Sequence, residues 1–429
     1  MAGKASSLIS WLTGRNRFAR ASLDELLLKN EYKGIDDEPV DQYDVTAEEN
    51  KIGLDRVQIA RVFDAAHPVR NRDELFGRSE ELKQLLAAAI DFGQHSIIHG
   101  ARGSGKTSLA RVFGDHADQD GVVVIYMACE PGASFAELLR PYLQALPLSA
   151  LNPSARARFK DDVSHLPAQF GPRTFVDLLV ERVTAPAVFI FDEFDRVVDP
   201  QVKDDIAAAM KLLSDSLSSV LFMLVGIARS VSDVVESHPS LRRHMRVVSL
   251  GRIAPESVGA LMAAGEVSTG LSFDADAREI ISRASCGSPF HIRLFCHHAA
   301  LAAVRQASTA VVSAEDVRTG LQNAIENWAA MNIEDARSFV ALIDAGGEFN
   351  SLEAAARTAA LTDRLSPSSE GAASLKGSLR VESHSSDSLI FNDSMAPQFL
   401  IACIILAEKP DGARSSYALI REEKNAFTY

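Results

Sequence analysis

Cysteine is scarce and irregularly spaced in this chain of 429 residues. The four cysteines, Cys129, Cys286, Cys296 and Cys403, include no Cys-x-x-Cys pair. That excludes a disulfide framework and leaves reduced, mostly buried thiols, as expected of a cytoplasmic protein. Cys286, His291, Cys296, His297 and His298 lie close together in sequence. Three of them are consecutive on a predicted helix, where neighbours point to different faces, so a helical core is expected there rather than a metal site. Long apolar runs are also missing. The strongest, Phe399–Ala407, falls far short of the ~20 residues that a membrane span needs, and it predicts a buried helix. Positive charge is in deficit, with a formal net charge of −13. Bulk electrostatics therefore do not favour nucleic acid, and any DNA contact would need a local basic patch.

What is present is punctuated by abrupt changes. The first twenty residues carry Lys4, Arg15, Arg17 and Arg20 with no acid. Their apolar stretch, Leu8–Leu12, is too short for a secretory core, so a terminal helix docked on the body or on a partner is expected. An acidic block follows over Glu31–Glu49, of the kind that stays solvated and weakly ordered. Residues 1–68 are therefore read as an N-terminal arm. From Asp73 the pattern becomes regular, with a helix predicted over Ser79–Phe92.

A central block then alternates strand and helix. Strands are predicted at Ser96–His99, Val122–Cys129, Ala187–Phe191, Val220–Ile227 and Arg246–Leu250. Helices are predicted at Ser108–His116, Phe135–Leu146, Thr174–Val183 and Val202–Leu217. Continuous Val/Ile/Phe runs imply strands buried on both faces of a mainly parallel sheet, an α/β three-layer sandwich over residues 69–252. After Arg252 the strands stop. Helices at Pro255–Ala264, Asp274–Ala284, Pro289–Ala307 and Ser313–Ala330 predict an all-α domain over residues 253–330. Residues 331–429 read as short helices, a hairpin of Leu379–Glu382 with Ser388–Phe391, and a closing helix Met395–Ala407. That order is a winged-helix arrangement.

Two motifs carry chemistry. Gly100-Ala101-Arg102-Gly103-Ser104-Gly105-Lys106-Thr107 fits the phosphate-loop pattern G-x-x-x-x-G-K-[ST] (Walker A), between a predicted strand and a helix opening at Ser108. Its glycines let backbone N–H groups converge on phosphate oxygens, and the helix N-terminus adds partial positive charge. Lys106 would reach the β- and γ-phosphates of ATP, and the Thr107 hydroxyl would help hold Mg²⁺. The second motif, Ala187-Val188-Phe189-Ile190-Phe191-Asp192-Glu193, is an apolar strand ending in paired carboxylates (Walker B). Asp192 would stand beside the metal shell, and Glu193 would polarise a water for attack on the γ-phosphate. Asp195 and Arg196 follow at once and read as surface charge, with membership of the site as the alternative. The chain has no Asn-Lys-x-Asp element of a GTPase and no Leu-Ser-Gly-Gly-Gln signature of a transporter ATPase.

Gly100–Thr107, Ile190–Glu193, the Val225–Ala228 strand end and the helical domain after the sheet resemble an AAA+ ATPase. The likeness is narrower to the replication-initiator-like and STAND-like bacterial ATPases, and the lead-in Glu74–Arg78 is similar to the segment that flanks adenine there. The resemblance implies an arginine finger at His238–Arg243, with Arg243 favoured over Arg242, which would complete a neighbour's site in a homo-oligomer. It implies a lid residue that senses phosphate, for which Arg293 is the candidate. It also implies a polar residue after Val220–Ile227, where this chain has Arg229, a departure that points to slow hydrolysis. The function expected is a nucleotide-controlled oligomeric switch that recruits a protein effector, in defence or signalling. The alternatives are a DNA-binding initiator acting through the winged helix, and an ATP-binding scaffold that does not hydrolyse.

Overall fold

The computed structural model describes residues 56–226, 239–306, 310–346, 348–382 and 385–408. Arg229, His238, residues 1–55 of the arm and residues 409–429 lie outside the described residues. The chain enters as α1 (Arg56–Val62), then α2 (Ser79–Leu86), which widens into a π turn over Ala87–Asp91. The core alternates β1 (His95–Gly100), α3 (Lys106–Gln119), β2 (Val123–Ala128) and α4 (Phe135–Ala145). After α4 come two short helices, α5 (Pro153–Arg156) and α6 (Phe159–Ser164), then α7 (Pro172–Leu179), β3 (Ala187–Asp192), α8 (Pro200–Asp215), β4 (Val220–Gly226) and β5 (Met245–Leu250). The short helices fall in a stretch without helical periodicity and are fixed by the buried Phe159 and Val163.

Among the described residues the five long strands form one parallel sheet, in the order β2-β3-β4-β1-β5. Every residue of β3 and β4 is buried, whereas the edge strands β2 and β5 are only partly so. This is the pattern that continuous apolar runs predict for a sheet covered on both faces. Alternate residues serve opposite faces. Phe189, Phe191 and Phe222 pack with Tyr142 and Phe175 under α4, α7 and α8. Val188, Ile190 and Met223 pack with Leu85, Val112 and Phe113 under α2 and α3.

Beyond the sheet come α9 (Pro255–Thr269), β6 (Ser272–Phe273), α10 (Ala275–Ser285), α11 (Pro289–Gln306), β7 (Val311–Val312) and α12 (Ala314–Met331). The parallel β6–β7 pair is too short to leave an alternation in sequence. Asp274 and Ser313 cap α10 and α12 with their side chains, each such cap being worth ~1 kcal/mol. Then follow α13 (Ile333–Asp344), α14 (Phe349–Thr362), an antiparallel hairpin of β8 (Leu379–Glu382) and β9 (Ser385–Phe391), and α15 (Ala396–Ala407). Two helices, a hairpin and a closing helix thus follow in the order read from the sequence.

Helix α15 is buried from Ala396 to Leu406 and packs against α10, α12, α13 and α14. One apolar cluster consequently runs from Ile59 on α1 through α9–α12 to Leu406. Charge reinforces it, because Arg283 on α10 pairs with Glu353 on α14 and with Glu408 just after α15 (2.7 Å). Helix α1, in the stretch read as arm, packs on α9 and α11. Its following residue Phe63 lies against Gly265, where a β-carbon would stand 2.3 Å from the ring.

Candidate nucleotide site

The parallel strands all point their C-terminal ends to one edge of the sheet, and the two motifs meet there. Strand β1 runs into the phosphate loop, and α3 begins at Lys106 after Gly105, which is left-handed at φ 91°. Gly103 is also left-handed, at φ 73°, a conformation that a side chain would strain. Residues Arg102 to Ser108 line a cleft of about 630 Å³, a size suited to a nucleotide-sized ligand. Gly100 and Ala101 stand behind it, with their carbonyls accepting from Lys106 Nζ at 2.8 and 2.9 Å. Burial holds the Lys106 ammonium below its usual range, offset by the carboxylates of Asp195, Asp363 and Asp192.

Asp192, the last residue of β3, lines the same cleft, as do Glu193, Asp195 and Arg196. Both Asp192 carboxylate oxygens accept hydrogen bonds, Oδ2 from the Tyr126 hydroxyl and Oδ1 from the Glu193 backbone N–H at 2.8 Å. Glu193 is left-handed at φ 53° and pairs with Arg196 at 2.6 Å. Beside them the Cys129 thiol, buried and facing Asp192, is pushed up to about 12. The donor set suits Mg²⁺, which favours oxygen ligands and keeps several waters and phosphates around one or two protein groups. Thr107 and Asp192 would hold it. Among the described residues no group of three or more His, Cys, Asp or Glu is built to cage an ion.

Residues Leu261, Pro289, Phe290 and Arg293 of the all-α domain over 253–330, the lid of the resemblance, border the cleft. Ser288 Oγ donates to the Gly103 carbonyl at 3.3 Å and the Phe290 N–H to the same oxygen at 3.5 Å. Arg293, one turn into α11, lines the cleft but donates to the carbonyls of Val62 and Glu74, both at 3.1 Å. It thereby ties α1 and the lead-in segment to the lid. Arg243 does not line this cleft. It lies in the turn Pro239–His244, with Nε directed to His244 at 3.0 Å and its carbonyl accepting from Gln94. Strand β5 starts just after it, opposite the first residue of β1, so Arg243 is at the far end of the sheet from its own phosphate loop.

Three contributions escaped the sequence reading. The strap from Asp64 to Val69 forms a wall of the cleft. Arg78 is buried beneath the loop and donates to Ser104 O at 3.1 Å, to Glu81 and to Gly251 O. Asp195, read as surface charge, faces Lys106. The lead-in Glu74–Arg78 was singled out by its resemblance, but the place of Arg78 beneath the loop was not legible in it. The strap carries no recognisable motif.

Residues 74–225 match the family described as AAA ATPase domain. No curated protein matches the chain. Among solved structures the chain is similar to the Walker-type ATPase of Pyrococcus abyssi, at 16% identity over 79% of this chain and 99% of that one, with a TM-score of 0.49. It is similar to Cdc6p of Pyrobaculum aerophilum at 14% identity over 85% and 98% of the two chains, with a TM-score of 0.44. It is similar also to the RuvB Holliday junction branch migration motor of Thermotoga maritima, at 16% identity over 76% and 95%, with a TM-score of 0.40. A phosphate loop, a strand-end carboxylate pair and helices of the domain after the sheet thus meet at one cleft, in and beside a segment, residues 74–225, that is similar to AAA ATPase domains.

Proposed function

We propose that this protein binds ATP with Mg²⁺ in the cleft, hydrolyses it slowly, and uses the nucleotide state to govern a homo-oligomer that recruits a protein effector. The observation that carries the reading is the seating of the lid on the phosphate loop, through Ser288 and Phe290 on the Gly103 carbonyl. Any phosphate that rearranges the loop must change those contacts, and a ligand shifts an equilibrium only through such differential contacts. The lid shares one apolar core with α13–α15, so α9–α12 and α13–α15 would move together.

In this reading Lys106 exchanges the carbonyls of Gly100 and Ala101 for phosphate oxygens. Thr107 and Asp192 would hold the metal, which would supply positive charge to offset that of the phosphates. Glu193 leaves Arg196 to orient a water. Such a base contributes ~10²–10⁴-fold. Arg243, remote from its own loop, would reach the γ-phosphate of a neighbouring copy, where a supplied arginine stabilises developing charge. Arg293 would report on the closed lid through α1 rather than by gripping phosphate.

The test is the mass of the purified protein in solution with and without ATP, beside Lys106→Ala and Arg243→Ala. The expected result is an ATP-dependent rise in mass that Lys106→Ala abolishes and Arg243→Ala weakens. A monomer under every condition would refute the switch.

A further inference from the structure

Strand β2 carries one polar ring in an otherwise apolar run. Tyr126 pairs in register with Ile190, two residues before Asp192, so the side chains of Tyr126 and Asp192 fall on the same face of neighbouring strands. Its hydroxyl donates to Asp192 Oδ2. The Arg111 guanidinium lies over the same ring at 4.7 Å. Arg111 follows Thr107 by one helical turn on α3, so both project to one side of that helix. A chain of contact thus runs from the helix that carries one candidate metal ligand to the carboxylate that is the other.

We propose that Tyr126, steadied by Arg111, is a positioning residue that sets the Asp192 carboxylate for the nucleotide's Mg²⁺. The inference rests on the ATP·Mg²⁺ reading above. An ionised carboxylate offers about four lone-pair sites. The Tyr126 hydroxyl and the Glu193 N–H take one on each oxygen and fix the plane of the group. The remaining sites are left to the metal and its waters. Groups that orient a metal's carboxylate from behind in this way typically govern affinity by 10–100-fold. Phenylalanine in place of Tyr126 keeps the ring under Arg111 and removes the hydroxyl that orients Asp192.

The measurement uses the full chain and an ATP analogue bearing a fluorescent N-methylanthraniloyl group, titrated with Mg²⁺. The Mg²⁺ concentration at half-maximal enhancement of binding is compared between wild type and Tyr126→Phe, with binding in EDTA as reference. The expected result is a midpoint raised about 10-fold in Tyr126→Phe, with binding in EDTA unchanged. A midpoint within two-fold of wild type, or one that falls because the hydroxyl competes with the metal, overturns the proposal. Arg111→Met serves where Tyr126→Phe melts early; a raised midpoint supports the chain of contact, and an unchanged one removes it. If wild type binds the analogue no better than Lys106→Ala, the nucleotide reading falls and takes this inference with it. Wild-type binding with an indifferent Tyr126→Phe removes Tyr126 alone.

Discussion

Replacing Phe63 by alanine should unfasten the strap that walls the cleft while leaving the sheet intact. The ring is 1% exposed, meets Phe273 edge-on at 6.0 Å, and fills the space that Gly265 leaves by lacking a β-carbon. Truncating a buried phenylalanine costs about 3–5 kcal/mol, cavity included, of which the aromatic pair accounts for ~0.5–1.5. Because α1 joins the body through Ile59, Phe63 and the Arg293 bonds to Val62 and Glu74, that cost should fall on its docking. Taking ~3 kcal/mol from a local opening raises the opening constant about 150-fold. Hydrogen exchange reads that constant directly, because the Phe63 amide donates to Ile59 O at 3.0 Å. Peptides covering residues 56–69 should exchange about 100-fold faster in Phe63→Ala, and peptides covering β3 and β4 at the wild-type rate. ATP-analogue affinity should fall in step, since only the docked fraction is competent. Equal loss of protection in β3 and β4, or unchanged protection in α1, would refute the reasoning. Gly265→Ala should loosen the same joint by overpacking. The double variant should lose less than the two losses summed, because the new methyl occupies part of the vacated space.

Glu193→Gln should bind ATP as wild type does and lower turnover by ~10²–10⁴-fold; unchanged turnover would favour the non-hydrolysing scaffold. Gly103→Ala places a left-handed β-carbon 3.0 Å from Ser288 Oγ and 3.2 Å from Phe290 Cβ. It should lift the lid by ~1–3 kcal/mol of strain and overpacking, read as faster exchange at the start of α11, and normal protection there would count against the loop–lid contact. His95 bridges the Phe222 N–H and Met210 O and is held down at about 4, mainly by burial. The unfolded chain, at about 6.5, takes up the proton first. Stability should therefore be full above about pH 6.5 and fall by about 3 kcal/mol as pH drops to about 4. In His95→Gln the denaturation midpoint should depend less on pH across that window, and an undiminished slope would assign the effect to other histidines.

The sheet was legible because its strands are buried on both faces. Val188–Phe191 and Leu221–Val225 have no solvent-facing residue to interrupt the apolar run. The loop and the carboxylate pair were legible because phosphate chemistry allows few residue types at those spacings. Arg293 shows the limit. Its helix start was recognised, but its partners are main-chain carbonyls more than 200 positions upstream, and a carbonyl leaves no mark in sequence. The same holds for Tyr126, whose meaning lies in a register between strands 66 positions apart. The hairpin and α15 were legible as elements. Their burial against α10 and α12 depends on tertiary contacts that periodicity does not encode.

Strand order has a consequence for how the protein is made. β1, which launches the phosphate loop, has no sheet neighbour near it in sequence. Ser96 pairs with Met223 on one side and Arg246 on the other. A chain emerging from the ribosome displays the loop sequence long before either flanking strand exists. Closing such distant pairings is the slow part of assembling a parallel sheet. Nucleotide capture should therefore appear late in synthesis, only after Leu250 has emerged, and nascent chains cut short of that point should not be retained by immobilised ATP.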